Sequence, residues 1–131
     1  MIQRNELRKI ARARLKDSEA LFQHGRYDSA VYICGYAIEL SLKARICRTL
    51  KWAGFPSIRK EFESLSSLKT HDLNILLRLS GLQNKILTGF AAEWRIVADW
   101  DPESRYHIVG TTKQSDAAQM IAAVKTLLGV I

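Results

Sequence analysis

Cysteine, proline and long apolar runs are all scarce in this chain, with two cysteines and two prolines in 131 residues. Cys34 and Cys47 fall within what reads below as one helix. At ~1.5 Å rise per residue they stand roughly 20 Å apart, while a disulfide needs Cα atoms within about 7 Å. A bridge within the chain is therefore excluded. Neither cysteine has a Cys or His neighbour at metal-ligand spacing, so both read as small buried apolar residues. No apolar run reaches the ~18 residues that a membrane helix needs. The opening Met1-Ile2-Gln3-Arg4-Asn5-Glu6 lacks an apolar segment followed by a small-residue cleavage site, so no signal peptide is read and a cytoplasmic protein is expected.

Familiar catalytic signatures are missing too. There is no Gly-rich phosphate loop, no His-Glu-x-x-His, no Cys-x-x-Cys and no Gly-x-Ser-x-Gly turn. These absences weigh against metal hydrolases and NTPases, and no cofactor or metal is expected.

Apolar residues are plentiful at 47%, which argues against disorder. A chain of this length suits one domain, residues 1–131, around one core. Its net charge of +7 is unevenly spread. Residues 1–60 hold 13 Lys or Arg against 5 acids, and residues 61–131 hold 7 against 8. The basic first half suits a polyanion such as nucleic acid, or is simply a solvated helix face.

Periodicity organises the chain into helices. Over 3–24, Leu7, Ile10, Ala11, Leu15, Ser18, Leu21 and Phe22 form an apolar stripe, with Arg4, Arg8, Arg12 and Lys16 on another face. Gly25 reads as the stop, and Asp28 as the N-cap of a second helix over 28–51. The run Ala30–Ile38 is apolar on every side, which places this helix in the middle of a bundle. Gly35 would let a neighbouring backbone approach closely.

Gly54-Phe55-Pro56-Ser57 breaks the chain. A short helix over 58–64 follows, capped by Ser57, then one over 71–79 with Leu73, Leu76 and Leu77 inward. A longer helix over 82–98 carries Leu82, Ile86, Phe90, Trp94 and Val97 on one stripe. Residues 99–111 read as an irregular polar loop. Thr111 and Gln114 have capping-box spacing for a last helix reaching about residue 129, with Ala117, Ile121, Val124 and Leu128 inward. No strand-like alternation is evident. The expected fold is all-α, an antiparallel up-and-down bundle of four or five helices.

Three constellations could carry chemistry. Tyr32, Gly35, Glu39 and Lys43 share one face of the second helix. Glu39 sits in apolar sequence and needs a partner. Lys43 is the near one, an arginine from another helix the remote one, and a purely structural ion pair is the simplest outcome. Thr70-His71-Asp72-Leu73 puts an imidazole at a helix start, as a base or as a capping group. The loop at 99–111 gathers Trp100, Asp101, Arg105, Tyr106 and His107, which could grip phosphate and stack on a base. Equally, Arg105 could tie the loop down by a salt bridge while Tyr106 packs inward.

The segment Gly25-Arg26-Tyr27-Asp28 followed by the apolar helix with Glu39-x-x-x-Lys43 resembles the second-helix signature of the HEPN superfamily. Lys69-Thr70-His71-Asp72-Leu73 and Arg105-Tyr106 resemble later parts of the same pattern, which covers roughly residues 5–128. The resemblance implies a HEPN-like helical bundle, usually a homodimer. It also implies a frequent pairing with a minimal nucleotidyltransferase in toxin–antitoxin systems. Many such proteins are metal-independent ribonucleases whose Arg and His stand four to six residues apart. That pair is missing: His24 follows Arg14 with nine residues between, His71 follows Arg59 with eleven, and His107 follows Arg105 with one. The likeness is to the branch without the motif.

Three functions follow as expectations. The first is a non-catalytic dimeric module that binds RNA, a nucleotide or a nucleotidyltransferase, with Arg8, Arg12, Arg26, Tyr32, Lys43 and Tyr106 as binding residues. The second is a ribonuclease with a rearranged site of Arg105, His107, Glu39 and His71. The third is a helical interaction bundle with no nucleic-acid role.

Overall fold

The computed structural model describes residues 1–131 and is all-α apart from one two-residue strand pair. Helix α1 spans Arg4–Gln23 and α2 spans Tyr27–Thr49. The turn between them is a Schellman motif. Gly25 takes φ +72°. Its N–H donates to the Phe22 carbonyl at 3.0 Å, and the Arg26 N–H donates to the Leu21 carbonyl at 2.9 Å. So short a turn sends α2 back antiparallel along α1.

Asp28 is not the N-cap of α2. That position is Arg26, and Asp28 lies within the first turn. Its carboxylate accepts instead from the Gly110 and Thr112 N–H groups, at 2.7 and 2.8 Å. A tertiary partner displaces the local one.

Helix α2 buries Ala30, Cys34, Ala37, Ile38, Leu42 and Ile46 completely. Helices α1, α4 (Leu73–Ser80) and α7 (Gln114–Leu128) pack around it. An apolar surface on all sides needs neighbours on all sides, and this supplies them. Gly35 admits a side chain rather than a backbone: the indole of Trp100 fills the space of the missing β-carbon.

Short strands appear where no alternation predicted them. β1 (Ile2–Gln3) pairs antiparallel with β2 (Gly54–Phe55), Ile2 opposite Phe55. The Arg4 N–H adds a bond to the Ala53 carbonyl at 3.1 Å, tying the start of α1 to the chain beyond α2. Two-residue strands are too short to leave a periodic trace.

The middle of the chain is more broken than expected. Helix α3 covers only Arg59–Phe62. Ser57 does not cap it. The Ser57 N–H donates to the Glu61 carboxylate at 2.8 Å, reversing the expected direction. Asp72 caps α4 by accepting from Asn74 and Ile75, and Leu73, Leu76 and Leu77 are buried.

The helix expected over 82–98 is two, α5 (Gln83–Gly89) and α6 (Ala91–Val97), because Phe90 leaves helical geometry at φ −137° and ψ 33°. Gly89, about 1 kcal/mol poorer than Ala in a helix, makes the break inexpensive. The stripe survives it. Leu82, Ile86, Trp94 and Val97 are buried and Phe90 is half-buried.

The 99–111 segment contains a 3₁₀ turn, Pro102–Tyr106, opened by Asp101, which accepts from the Glu103 N–H at 2.8 Å. The Thr111–Gln114 capping box does not form. Lys113 stands at the N-cap and donates its N–H to the Asp116 carboxylate at 3.0 Å. Ala117, Ile121, Val124 and Leu127 are buried, whereas Leu128 is half-buried. No helix is long and apolar enough to cross a membrane.

Candidate functional site

The carboxyl of Glu39 is the most buried charged-type group in the protein, at 2% exposure. The apolar residues around it on α2 carry it into the bundle, so its partners must come to it. His71 donates from Nδ1 to Glu39 Oε1. Lys43 lies one turn along α2, with Nζ 3.5 Å from the same oxygen. The His71 side chain is 60% exposed, so its second ring nitrogen faces outward from the carboxyl. Asp72 does not touch the imidazole. It caps α4 and so fixes where the residue before it stands.

Aromatic side chains continue from this cluster. The rings of Tyr36 and His71 lie 6.5 Å apart, edge to face. Tyr36 also meets Trp100 at 4.8 Å and Tyr32 at 5.5 Å. Burial is the main cause, with the Tyr32 hydroxyl next, that pushes the Tyr36 phenol up to about 12, so it stays protonated at neutral pH. Trp100 is core: its Nε1 donates to the Tyr32 carbonyl at 3.2 Å. It is not available as the stacking group that the sequence suggested in this loop.

Beyond the aromatic set lies a cleft of about 710 Å³. Arg26, Asp28 and Tyr32 line it from α2 and the turn before it, and Arg105 and His107 from the 3₁₀ turn and after. Arg105 does fold back onto its own loop. Its Nη1 donates to the Pro102 carbonyl at 2.9 Å, and Glu103 lies 3.8 Å from Nη2. Tyr106 does not pack inward. It is 73% exposed, and the Arg105 guanidinium stacks over its ring at 4.6 Å. The Ser104 hydroxyl, at the same cleft, is buried without a partner in the chain.

The expected site residues therefore divide into three places. Glu39, Lys43 and His71 form one cluster. Arg26, Tyr32, Arg105 and His107 surround the cleft, with Tyr106 outside it on the surface. Arg8 and Arg12 lie apart from both, beside Arg45 and Arg48. The sequence singled out Asp28 and Trp100 but not the roles they take. The Asp28 clamp on Gly110 and Thr112 holds the loop against α2, and those two N–H groups hold the Asp28 carboxyl below its usual pKa. Trp100 forms the wall between cluster and cleft. A Gly in the densest apolar run of the chain was the available signal for a large side chain arriving there.

Chemically, the cluster could orient an imidazole, and the cleft could hold a phosphate near an aromatic ring. No three His, Cys, Asp or Glu side chains come together as metal ligands would. Comparison with curated proteins and with solved structures gives no match. The sequence description of the HEPN domain, by contrast, matches residues 5–131, nearly the whole chain. With its helical bundle, its Glu39–Lys43 helix and that match, this chain belongs to the HEPN family.

Proposed function

We propose that this chain is a non-catalytic HEPN module that forms a homodimer and binds RNA or a nucleotide in the Arg26–Tyr32–Arg105 cleft. The observation carrying this reading is that two guanidinium groups, an imidazole and two phenols border one cleft of nucleotide size, whose lining also holds Asp28, Asp99 and Asp101. Guanidinium groups take phosphate oxygens in pairs, and a tyrosine beside them offers a face or a hydroxyl to a base or sugar. The spacing of Arg and His in the sequence separates the chain from the family's ribonucleases. A minimal nucleotidyltransferase is the protein partner that family membership favours, with the pair acting as toxin and antitoxin.

Fluorescence anisotropy with a labelled single-stranded RNA, with mononucleotides as competitors, tests the reading. Arg26→Ala and Arg105→Ala should each weaken binding about tenfold, a cost of about 1.4 kcal/mol, and flatten its salt dependence. Equal affinity in both variants and the intact protein would remove the cleft from consideration. Light scattering tests the homodimer, and co-purification with a co-expressed nucleotidyltransferase tests the pairing.

A second reading has one observation in its favour. Glu39 holds His71 by Nδ1 and leaves the other ring nitrogen outward, the arrangement in which a carboxyl orients a general base. In that reading the chain is a metal-independent ribonuclease whose dimer cleft brings His71, which moves the proton, together with Arg105 and His107, which meet the phosphate. RNA cleavage by metal-free protein that disappears in His71→Ala would establish it. Cleavage unchanged in His71→Ala, Arg105→Ala and His107→Ala would mark a contaminant.

A further inference from the structure

Arginines collect at the far end of α2 from the nucleotide-sized cleft. Arg8 and Arg12 stand one turn apart on α1, Arg45 and Arg48 one turn apart on α2, and Lys85 joins them from α5 around a cleft of about 660 Å³. Arg48 also lines an adjoining cleft of about 420 Å³ with Arg4 and Lys51. The antiparallel pairing of α1 and α2 brings the two rows side by side. Along α1, Arg4, Arg8 and Arg12 recur every fourth residue, so the track runs roughly 12 Å. From Tyr32 to Arg45 along α2 is roughly 20 Å, so the track and the first cleft are separate places.

No acidic side chain lines this track, although the main-chain end at Ile131 reaches the larger cleft. The seven ion pairs of the protein use other groups, and none involves these seven cations. The Arg45 Nε is buried without a hydrogen-bond partner. Burial, and then Arg48 and Arg8, lower the pKa of the Arg45 guanidinium. Like charges gathered in this way repel one another, and a bound anion would relieve that repulsion while supplying the missing acceptors. The clefts have little aromatic surface. Trp52 at the margin of the smaller one is the sole ring, so the groups present recognise phosphate oxygens rather than bases.

We infer that the Arg4–Arg8–Arg12 row of α1 and the Arg45–Arg48 pair of α2 form an anion track for a chain of adjacent phosphate groups, read without regard to base. It does not depend on the nucleotide-sized cleft. Adjacent phosphates occur both in a compact oligophosphate and along the phosphodiester backbone of a single strand, and two probes separate these sources.

The intact protein is titrated with tripolyphosphate and with labelled oligouridylate at several salt concentrations, and thermal melts are followed with each. Arg12→Gln/Arg48→Gln alters two exposed positions and spares the core. A separate Arg45→Gln removes the half-buried guanidinium, and far-UV circular dichroism checks that each variant is folded. Tripolyphosphate is expected to raise the melting temperature of the intact protein, an effect that falls away as salt rises. In Arg12→Gln/Arg48→Gln the affinity should drop on the order of tenfold, and the slope of log K against log salt for oligouridylate by about 1.4. Arg78→Gln, an exposed position that lines none of these clefts, should keep the tripolyphosphate response. If Arg12→Gln/Arg48→Gln weakens both probes, a phosphodiester chain is the ligand of the track; if it weakens tripolyphosphate alone, a compact oligophosphate is. No tripolyphosphate response at low salt overturns the inference, as does a response undiminished in Arg12→Gln/Arg48→Gln.

Discussion

The indole of Trp100 occupies the space that a side chain at Gly35 would need. A β-carbon at Gly35 would lie 2.0 Å from the indole Cε2, and the Trp100 Nε1 donates to the carbonyl of Tyr32, three residues earlier on α2. One glycine thus admits the large side chain that stands between the Glu39 cluster and the neighbouring cleft.

Gly35→Ala should therefore displace Trp100. Overpacking of a filled core costs about 1–3 kcal/mol, and here the obstructing group is a rigid ring with no easy retreat. Urea denaturation should show a loss at or above the upper end of that range. Tryptophan emission should shift to the red as the indole meets water. A stability equal to wild type would mean the ring is not seated there.

Lys51→Gly should stabilise the protein. Lys51 takes φ +57° just after α2, where the Trp52 N–H reaches back to the Cys47 carbonyl at 2.7 Å. That is a C-terminal turn which ordinarily uses glycine, and the left-handed conformation costs an L-residue about 1 kcal/mol. A gain of roughly 0.5–1 kcal/mol by chemical denaturation is expected, after subtracting the greater freedom of glycine in the unfolded chain.

Glu39→Ala should cost about 2–4 kcal/mol, because it opens a hole in α2 and leaves Lys43 and His71 without their acceptor. His71→Ala should cost much less, since that ring is mostly exposed. Thermal melts of both variants, set beside RNA binding and cleavage, separate a structural carboxyl from one that orients a base.

Stability should fall at both pH extremes for different reasons. Asp28 is held below the ordinary 3.8 by the Gly110 and Thr112 amides, so its contribution is present above that value and lost as pH falls below it. Tyr36 is raised from 10.0 to about 12, mainly by burial, so its contribution is present below pH 10.0 and lost as pH rises toward 12. Amide exchange at Gly110 and Thr112 reports the acid limb, and the ultraviolet titration of tyrosine the alkaline one. Asp28→Ala should flatten the acid limb.

Both cysteines should resist modification. Burial pushes the Cys34 thiol up to about 12 and raises Cys47 as well. A disulfide-exchange reagent should label the native protein slowly and the urea-unfolded protein at once, which gives a direct measure of opening. Fast labelling under native conditions would show that α2 is exposed.

Local physics explains which parts of the fold were readable. The uniformly apolar stretch of α2 can be satisfied only inside a bundle, and the Leu73, Leu76, Leu77 spacing can bury only one face of α4. The turn at Gly25 was readable because a left-handed residue favours glycine. What failed were choices between near-equal local options. Asp28 and Ser57 are both good caps on paper, yet each went to other partners, the 110–112 loop for one and Glu61 for the other. The break at Phe90 and the pairing of Ile2 with Phe55 depend on what lies across the core.

From the order of its residues alone, the chain had to be helical, with α2 inside and a surplus of cations in its first sixty residues, because these follow from periodicity and counting. The tertiary structure decided which side chains meet. Antiparallel packing set Arg8 and Arg12 beside Arg45 and Arg48, and drew His71 onto Glu39 across thirty-two residues of sequence. It also sent Trp100 into the gap at Gly35. Such meetings depend on distances through space between segments far apart in the chain, which repeat spacing along a helix does not encode.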